Sequence, residues 1–339
     1  MEIPCLVKTL TWNVNGTLLN TPELIDRVNQ VVKQLLNSVD YTQTCVAIGL
    51  QEVVKVGKLV NRQQKSMKLQ HLWHDVLQNA ICDTMKGRQV TSLGSHAHKT
   101  GIAMHVFRIE SLQPSIGLQE DHDIHLVKHG MSKGSLAVSL RNQNGAHVTL
   151  VVSHLPAYAR NVFFRQDKST KGKMAAFDER NQALQQDLHN LSLCKKGHEQ
   201  VIWMGDLNYR CVDSANPKHD VQHAFECLPS LWNVQLQDCF VKYDELYNNL
   251  KRVFPDFHET IVEFPPTYKL GSAHKERVYA WTDRILYKNS NGTLSVVPGT
   301  YQALHPHGWM DVLSDHAPVM QAFLLLAPTT RTSSASWCK

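Results

Sequence analysis

The chain has 339 residues, of which 42% are hydrophobic and 19% are charged, and it contains 17 Gly and 13 Pro. This composition is too apolar for a disordered chain and too poor in glycine and proline for a fibrous one. The 35 Lys and Arg exceed the 30 Asp and Glu, which gives a formal net charge of +5, and 19 His can add to it in acid. A mild positive charge suits an anionic partner without choosing among phosphates, nucleic acid and a lipid surface.

Targeting signals and cysteines give two further expectations. No apolar run reaches the roughly 18 residues of a membrane span, and the opening residues MEIPCLVKTL lack the pattern of a secretory signal. We therefore expect a cytoplasmic protein without a transmembrane segment. The eight Cys are scattered without a CxxC pair, so we expect reduced, buried thiols rather than disulfides or a zinc site.

Hydrophobic periodicity predicts three helices separated by strand-like runs. The first helix begins at Thr21 and Pro22, a capping residue followed by proline at the first helical position, and its apolar residues keep helical spacing to Leu35. We expect a second helix over 71–85 and a third over 177–193. Apolar runs rich in β-branched residues lie at 6–12, 46–50, 136–140, 148–155, 201–204, 280–286 and 319–326.

The order of these elements predicts the fold class. Several strand-like runs are apolar at consecutive positions, which indicates strands covered on both faces. Strands and helices are interspersed without strict alternation. We therefore predict an α/β fold in which two packed β-sheets, mostly antiparallel or mixed, are flanked by helices as a four-layer sandwich. We expect a single domain over residues 1–327 and a polar C-terminal tail over 328–339.

Polar residues follow, interrupt or directly precede six of the apolar runs. They are Asn13, Glu52, His154, Asp206 with Asn208, Asp283, and Asp315 with His316. A single Asp or His at a strand end is most often a cap or a turn residue. Six such endings that share carboxylate, amide and imidazole chemistry indicate one functional rim of the sandwich, where loops expose side chains on rigid supports.

The chemistry of this set favours hydrolysis of a phosphate ester. The carboxylate of Glu52 and the amide oxygen of Asn13 are hard ligands of the kind that Mg²⁺ takes alongside a substrate phosphate. Asp206 can orient or deprotonate a water molecule, and Asn208 can hold a phosphate oxygen from the same face. Two separated His, one oriented by an Asp, can stabilise the charge that develops on the phosphoryl oxygens. The set predicts metal-assisted hydrolysis without a covalent intermediate.

Seven segments give the sequence a family resemblance. They are TWNVNG (11–16), LQE (50–52), SHL (153–155), WMGDLNYR (203–210), PPTYKL (265–270), RVYAWTDRIL (277–286) and SDHAPV (314–319). In this order they resemble the inositol polyphosphate 5-phosphatases of the endonuclease/exonuclease/phosphatase superfamily, whose two signature motifs are the WxGDxNxR and AWxDRIL blocks. The resemblance spans residues 7–326. It implies a phosphatase catalytic domain that removes the 5-phosphate from inositol polyphosphates and phosphoinositide lipids, such as phosphatidylinositol 4,5-bisphosphate, by direct attack of an activated water.

The resemblance also implies residue roles. The implied catalytic residues are His154, Asp206, Asn208, Asp283 and His316, and the implied ligands of the Mg²⁺ cofactor are Asn13 and Glu52. In this scheme Asp206 activates the water, and His154 and Asn208 bind the scissile phosphate. His316, oriented by Asp283, stabilises the transition state.

Cations and a phenol are implied to bind the ring phosphates of the substrate. The implied substrate-binding residues are Lys133, Arg180, Tyr268, Lys269, Lys275 and Arg277. Charge-assisted hydrogen bonds from such groups suit the 4-phosphate above all. Ser132 stands where the family usually has Asn before Lys-Gly, and residues 279–284 read YAWTDR where it usually has PAWCDR. Neither departure removes a catalytic group, but both indicate a shift in ring specificity.

A loop between the third and fourth segments carries a further hypothesis. Val162, Phe163 and Phe164 precede a basic cluster, which consists of Arg165, Lys168, Lys171 and Lys173. Aromatic residues beside basic ones are typical of a loop that dips into an anionic membrane surface, although a solvated loop with a packed aromatic pair explains the pattern equally well. We predict peripheral membrane contact by these three apolar residues. As partners we expect phosphoinositide lipids or soluble inositol phosphates and no nucleic acid, and we expect a monomer.

Three alternatives compete with this interpretation. A Mg²⁺-dependent nuclease of the same superfamily needs a basic groove, whereas the charge here is modest and nucleases lack the PTYK and AWTDR segments. A cysteine-dependent phosphatase is suggested by the Cys-x5-Arg match from Cys82 to Arg88, but Cys82 lies in a predicted helix rather than a strand-to-loop cradle. A non-enzymatic phosphoinositide-binding scaffold requires a lost catalytic residue, and none is lost.

Overall fold

A computed structural model gives the fold. It describes residues 4–37, 43–54, 62–110, 119–129, 132–141, 146–157, 170–191, 193, 200–211, 221, 234–270, 279–304 and 313–326. Side chains are described for these residues except 62–66, 119–123 and 170–173.

The described residues form two β-sheets. In chain order the strands are β1 (Cys5–Asn13), β2 (Gln43–Gln51), β3 (Gln89–His98), β4 (Ile102–Glu110), β5 (Gln119–Lys128), β6 (Gly134–Arg141), β7 (His147–His154), β8 (Gln200–Asp206), β9 (His258–Glu259), β10 (Asp283–Asn289), β11 (Leu294–Val296), β12 (Gln302–Ala303) and β13 (Val319–Leu325). The first sheet has the order β11-β13-β1-β2-β4-β3, with β12 also paired to β13, and the second has the order β5-β6-β7-β8-β10-β9. The pairs β1–β2 and β7–β8 are parallel and the other described pairs are antiparallel. The prediction of two mixed sheets is confirmed.

Five helices flank the sheets in the described part of the chain. They are α1 (Pro22–Leu35), α2 (Arg62–Thr84), α3 (Thr170–Asn190), α4 (Val234–Tyr243) and α5 (Glu245–Val253). The predicted start of α1 is confirmed, because the Thr21 hydroxyl caps the helix by accepting from the amide of Leu24 at 3.4 Å. The helices α2 and α3 begin earlier than the predicted positions 71 and 177. None of the helices described is long and apolar enough to cross a membrane.

Three apolar clusters fill the spaces between four layers. One lies between the sheets, where Val7, Met104, Val152 and Met204 meet. A second packs α1 and α2 on the outer face of the first sheet, and a third packs α3 and α5 on the outer face of the second sheet. Burial on both faces explains why β1, β2 and β8 are buried along their whole length.

Two glycines show how closely the layers approach next to the strand ends. A Cβ at Gly49 on β2 would lie 2.8 Å from Cγ2 of Val152 in the opposite sheet. Gly205 on β8 has φ +155°, and a Cβ there would lie 2.0 Å from the carbonyl oxygen of Ser153 on the neighbouring strand. Glycine at these two positions therefore allows β2, β7 and β8 to approach closely, just before the polar residues that follow these strands.

Among the five cysteines that the structure describes, one differs from the prediction. Cys5, Cys45, Cys211 and Cys239 are free and buried, as expected, whereas Cys82 is free and exposed, so the prediction of burial is wrong for this residue. Cys82 lies inside α2, on the helix side that faces solvent. Its position in a helix supports rejection of the Cys-x5-Arg motif.

Candidate active site

Strand register brings the predicted residues to one rim. The parallel pair β1–β2 aligns Asn13 with Gln51, so Glu52 follows at the same sheet edge. The parallel pair β7–β8 aligns His154 with Asp206, and the antiparallel strand β10 aligns Asp283 with that same residue. Three of the predicted catalytic side chains therefore start from adjacent backbone positions on three neighbouring strands.

The carboxylate of Asp206 is the centre of the site. Its Oδ2 accepts from Nδ2 of Asn13 at 3.0 Å and lies 3.1 Å from Nε2 of His154. Nε2 of His316 lies 3.9 Å from the same oxygen, and Oδ1 accepts from the backbone amide of Asn208 at 3.1 Å. Burial alone would raise the pKa of Asp206, but His154, His316 and Lys133 hold that pKa well below its usual range. The carboxylate is therefore ionised throughout the neutral pH range.

A histidine–aspartate pair flanks this centre. Nδ1 of His316 lies 2.9 Å from Oδ2 of Asp283, which also accepts from the hydroxyls of Thr267 at 2.7 Å and Thr282 at 2.9 Å. Burial would lower the pKa of His316, but the contact with Asp283, assisted by Asp206, overrides it and raises the pKa to about 9. His316 is therefore protonated at neutral pH, with Nδ1 donating to Asp283 and Nε2 turned toward the centre of the site.

A second group of basic side chains contacts Glu52 and Asp206. Nζ of Lys133 contacts Nε2 of His154, and both atoms lie near Oε1 of Glu52, at 3.9 and 3.7 Å. Burial lowers the pKa of His154, and the charge of Lys133 lowers it further. Burial likewise lowers the pKa of Lys133, although Asp206 and Glu52 oppose this. The Glu52 side chain is 32% exposed, so it is the open edge of the site.

Backbone strain is concentrated at this rim. Among the described non-glycine residues, positive φ values occur at Asn15 (47°), Glu52 (54°) and Asn208 (57°). A non-glycine residue in this region costs about 1–3 kcal/mol unless its surroundings impose it. Two of the three carry predicted functional side chains, and Asn15 donates its amide to Oδ1 of Asn13 at 3.0 Å. The strained backbone positions therefore lie among the predicted site residues.

The sequence analysis missed one wall of the site. Arg210 donates to the amide oxygen of Asn208, and its guanidinium lies 4.5 Å from the ring centroid of Tyr268. The Tyr268 ring in turn lies 4.4 Å from that of His316. Arg210, Thr267 and Thr282 each lie inside a quoted motif, and that was the available signal for them.

Of the remaining predicted residues, one lies beside the site, one is buried in an internal ion pair and five lie outside the described part of the chain. Nζ of Lys269 is 3.5 Å from Oδ2 of Asp315, beside His316. Arg180 is buried, with Nη2 2.5 Å from Oε2 of Glu245, so its guanidinium serves an internal ion pair instead of facing a substrate. Lys275, Arg277, Val162, Phe163 and Phe164 lie outside the described residues.

The donor set fits a divalent cation. Ligand atoms of Asp206, Asp283 and His316 lie within 4.8 Å of one another, but Nδ1 of His316 is committed to Asp283. The carboxylate of Glu52, 3.9 Å from Nζ of Lys133, and the amide oxygen of Asn13, which accepts from the Asn15 amide, are hard oxygen donors at neighbouring strand ends. Mg²⁺ and Ca²⁺ both take such donors together with water and phosphate oxygens.

Comparison with known proteins agrees with this architecture. The chain is 30% identical to synaptojanin-2 of Rattus norvegicus over 311 residues, covering 82% of this chain and 18% of that protein. It is 26% identical to type IV inositol polyphosphate 5-phosphatase 11 of Arabidopsis thaliana over 325 residues, covering 92% and 80%. The chain thus spans about a fifth of the length of one curated relative and four fifths of the other.

Solved structures share the fold. The inositol polyphosphate 5-phosphatase domain of SPsynaptojanin, in complex with inositol (1,4)-bisphosphate and calcium ion, matches with a TM-score of 0.63, 22% identity and coverage of 95% of this chain and 84% of that one. A ferrous NO complex of Cimex nitrophorin matches with a TM-score of 0.59, 20% identity and coverage of 96% and 100%. The sequence profile of Endonuclease/Exonuclease/phosphatase family 2 matches residues 10–322, so the chain belongs to that family.

Proposed function

We propose that this chain is a Mg²⁺-dependent 5-phosphatase of inositol polyphosphates and phosphoinositide lipids. The observation that carries the proposal is the position of the Asp206 carboxylate, whose Oδ2 lies 3.1 Å from His154 and 3.9 Å from His316, with the half-exposed carboxylate of Glu52 beside His154. The nitrophorin match shows that this fold also serves other purposes, so the argument depends on the site rather than on the fold. The similarity to the Arabidopsis 5-phosphatase over most of both chains supports the substrate class.

Asp206 is suited to orient the attacking water. As an ionised acceptor it can take a hydrogen bond from water, and its donors Asn13 and His154 hold the carboxylate in one orientation. Because its pKa is held low, orientation is a stronger contribution than full removal of the proton before attack.

His316 is suited to stabilise charge on the phosphoryl group. Nδ1 donates to Asp283, so Nε2 of the cationic ring remains directed into the site, too far from Asp206 for a hydrogen bond at 3.9 Å. A cation fixed by buried partners costs no reorganisation when charge develops on the phosphoryl oxygens. The amino group of Lys133, next to His154, is a second group that can donate hydrogen bonds to the phosphoryl oxygens.

Mg²⁺ at Glu52 and Asn13 would neutralise phosphate charge and orient the scissile phosphate. In this proposal Glu52 provides the charged ligand and Asn13 the neutral one. The same Asn13 amide donates to Asp206, which couples the geometry of the metal-binding edge to that of the water-orienting carboxylate.

The finer predictions extend this proposal. We propose that Tyr268 and Lys269, with Lys275 and Arg277, select for a 4-phosphate, because the Tyr268 ring lies against that of His316, tilted by 39°. We also retain the proposals of membrane contact through Val162, Phe163 and Phe164, of a monomeric state and of a cytoplasmic location.

A substrate panel tests the proposal. Phosphate release is measured from inositol 1,4,5-trisphosphate, from phosphatidylinositol 4,5-bisphosphate in vesicles and from a DNA oligonucleotide, each with Mg²⁺ and with excess EDTA. We expect Mg²⁺-dependent release from both inositol substrates and an intact oligonucleotide. Cleavage of the oligonucleotide alone would favour a nuclease, and vesicle binding without phosphate release would favour a scaffold.

A further inference from the structure

A buried polar network on the far side of the second sheet has no part in the mechanism above. Asp187 on α3 is fully buried, with Oδ1 2.6 Å from Nε2 of His129 and Oδ2 accepting from the Ser135 hydroxyl at 2.5 Å. The Ser135 hydroxyl lies 2.6 Å from that of Ser153, which accepts from Nε1 of Trp203 at 2.8 Å. Side chains from five segments are therefore linked through the Asp187 carboxylate and through the hydroxyls of Ser135 and Ser153.

This arrangement is not a nucleophile with its base. In a Ser-His-Asp triad the hydroxyl contacts the histidine, and the histidine contacts the carboxylate. Here both His129 and Ser135 contact Asp187, and no side chain among the three is open to solvent. A buried carboxylate without such partners would be strongly destabilising, so the network fixes the segments from which its donors come.

Those segments carry two residues of the candidate site. The backbone amide of His129 donates to the carbonyl of Lys133 at 2.9 Å, so His129 and Ser135 bracket the chain on which Lys133 lies. Ser153 immediately precedes His154. The side chain of Lys133 contacts Nε2 of His154. The network therefore adjoins both residues of this contact, through His129 and Ser135 near Lys133 and through Ser153 next to His154.

We propose that Asp187 is a positioning residue, which acts through His129, Ser135 and Ser153 to hold Lys133 against His154 and Glu52 at the active site. The proposal rests on the proposed function in that Lys133 then faces the scissile phosphate. A glycine adjoins this contact: a Cβ at Gly134 would lie 2.3 Å from the carbonyl of Val127. Glycine at position 134 therefore allows the chain next to Lys133 to pack directly against β5. Loss of the Asp187 carboxylate is expected to displace the segment that carries the Lys133 side chain.

The test combines a kinetic cycle with a chemical probe. Asp187→Asn keeps the side-chain size and removes the charge, Ser135→Ala removes one bond, and Asp178→Asn is the matched control at an exposed position on the same helix. We expect Asp187→Asn to lower kcat/KM for inositol 1,4,5-trisphosphate about tenfold and Asp178→Asn to leave it unchanged. In a Lys133→Met background the same Asp187→Asn change should cost less than about twofold, because the residue it acts through is gone.

The second readout does not depend on activity. The rate of Lys133 acetylation by acetic anhydride, followed by mass spectrometry, should rise several-fold in Asp187→Asn and in Ser135→Ala and stay constant in Asp178→Asn. Ser135→Ala carries this test if Asp187→Asn does not fold. An equal loss of kcat/KM in both Lys133 backgrounds, or an unchanged acetylation rate, would overturn the proposal. A folded wild type without phosphatase activity would refute the proposed function alone, and the acetylation rates would then decide the positioning role.

Discussion

Replacement of Asp283 by Asn should lower kcat/KM much more in alkali than in acid. Asp283 is the principal partner that raises the pKa of His316 to about 9 against the effect of burial. The difference from the ordinary histidine value of about 6.5 corresponds to about 3 kcal/mol in favour of the protonated ring, at about 1.4 kcal/mol per pH unit. Asn has no charge to contribute, so the His316 pKa in the variant should fall to about 6.5 or below.

The magnitude follows from the protonated fraction of His316. With a pKa of about 9, about 90% of the wild-type rings carry the proton at pH 8, whereas a pKa of about 6.5 leaves about 3%. Asp283→Asn should therefore lose about 30-fold in kcat/KM at pH 8 beyond any loss at pH 6, where both proteins are mostly protonated. Phosphate release measured from pH 5.5 to 10 gives the alkaline limb of each profile.

A neighbouring carboxylate provides the control. Asp315 is a smaller contributor to the raised pKa of His316, so Asp315→Asn should leave the alkaline limb close to that of the wild type. If Asp283→Asn lost activity by the same factor at every pH, the proton on His316 would not depend on Asp283, and the assigned role of the pair would be wrong.

The other predictions concern the metal edge, substrate selection, stability and membranes. Glu52→Gln should lower Mg²⁺-dependent turnover by about two orders of magnitude or more with little change in the unfolding temperature; full activity in excess EDTA would contradict it. Lys269→Ala should reduce the preference for 4,5-bisphosphorylated over 5-monophosphorylated substrates, whereas equal losses on both would assign it to general affinity. Burial and neighbouring histidines lower the pKa of His105 to about 3, so the unfolded state binds more protons than the folded state below pH 6.5. The free energy of unfolding should therefore fall by about 2 kcal/mol by pH 5. In urea unfolding, His105→Gln should lack this decrease. Replacing Phe163 and Phe164 by Ser should slow hydrolysis of vesicle-borne lipid and leave soluble trisphosphate hydrolysis unchanged, and equal losses would indicate core packing instead.

The parts of the fold that sequence predicts best are those with an uninterrupted local signal. The strands β1, β2 and β8 are buried on both faces and therefore read as continuous apolar runs. The strand β3 was missed because it is an edge strand whose residues are mostly half-buried, and β4 was missed because His105 interrupts its apolar run. The helix α4 carries Val234 and Val241 exposed, which obscures its helical periodicity.

The site was predictable as a set of residues, but its connections were not. Carboxylates, amides and imidazoles at strand ends identify Asn13, Asp206 and His316 from their positions in sequence. The contact between Asn13 and Asp206 joins the two sheets across 193 residues, and sheet packing alone brings these residues together. Arg180 was expected to bind substrate, but its local sequence does not show that Glu245 lies within 2.5 Å and takes up its charge.

We propose that this chain removes the 5-phosphate through the site built around Asp206. The most direct measurement is identification of the product isomer from inositol 1,4,5-trisphosphate and Mg²⁺, for the wild type and for Asp206→Asn. We expect inositol 1,4-bisphosphate as the product, with kcat lowered about 10²-fold to 10⁴-fold and KM little changed in the variant. A different isomer, or a folded wild type that gives no product, would contradict the account.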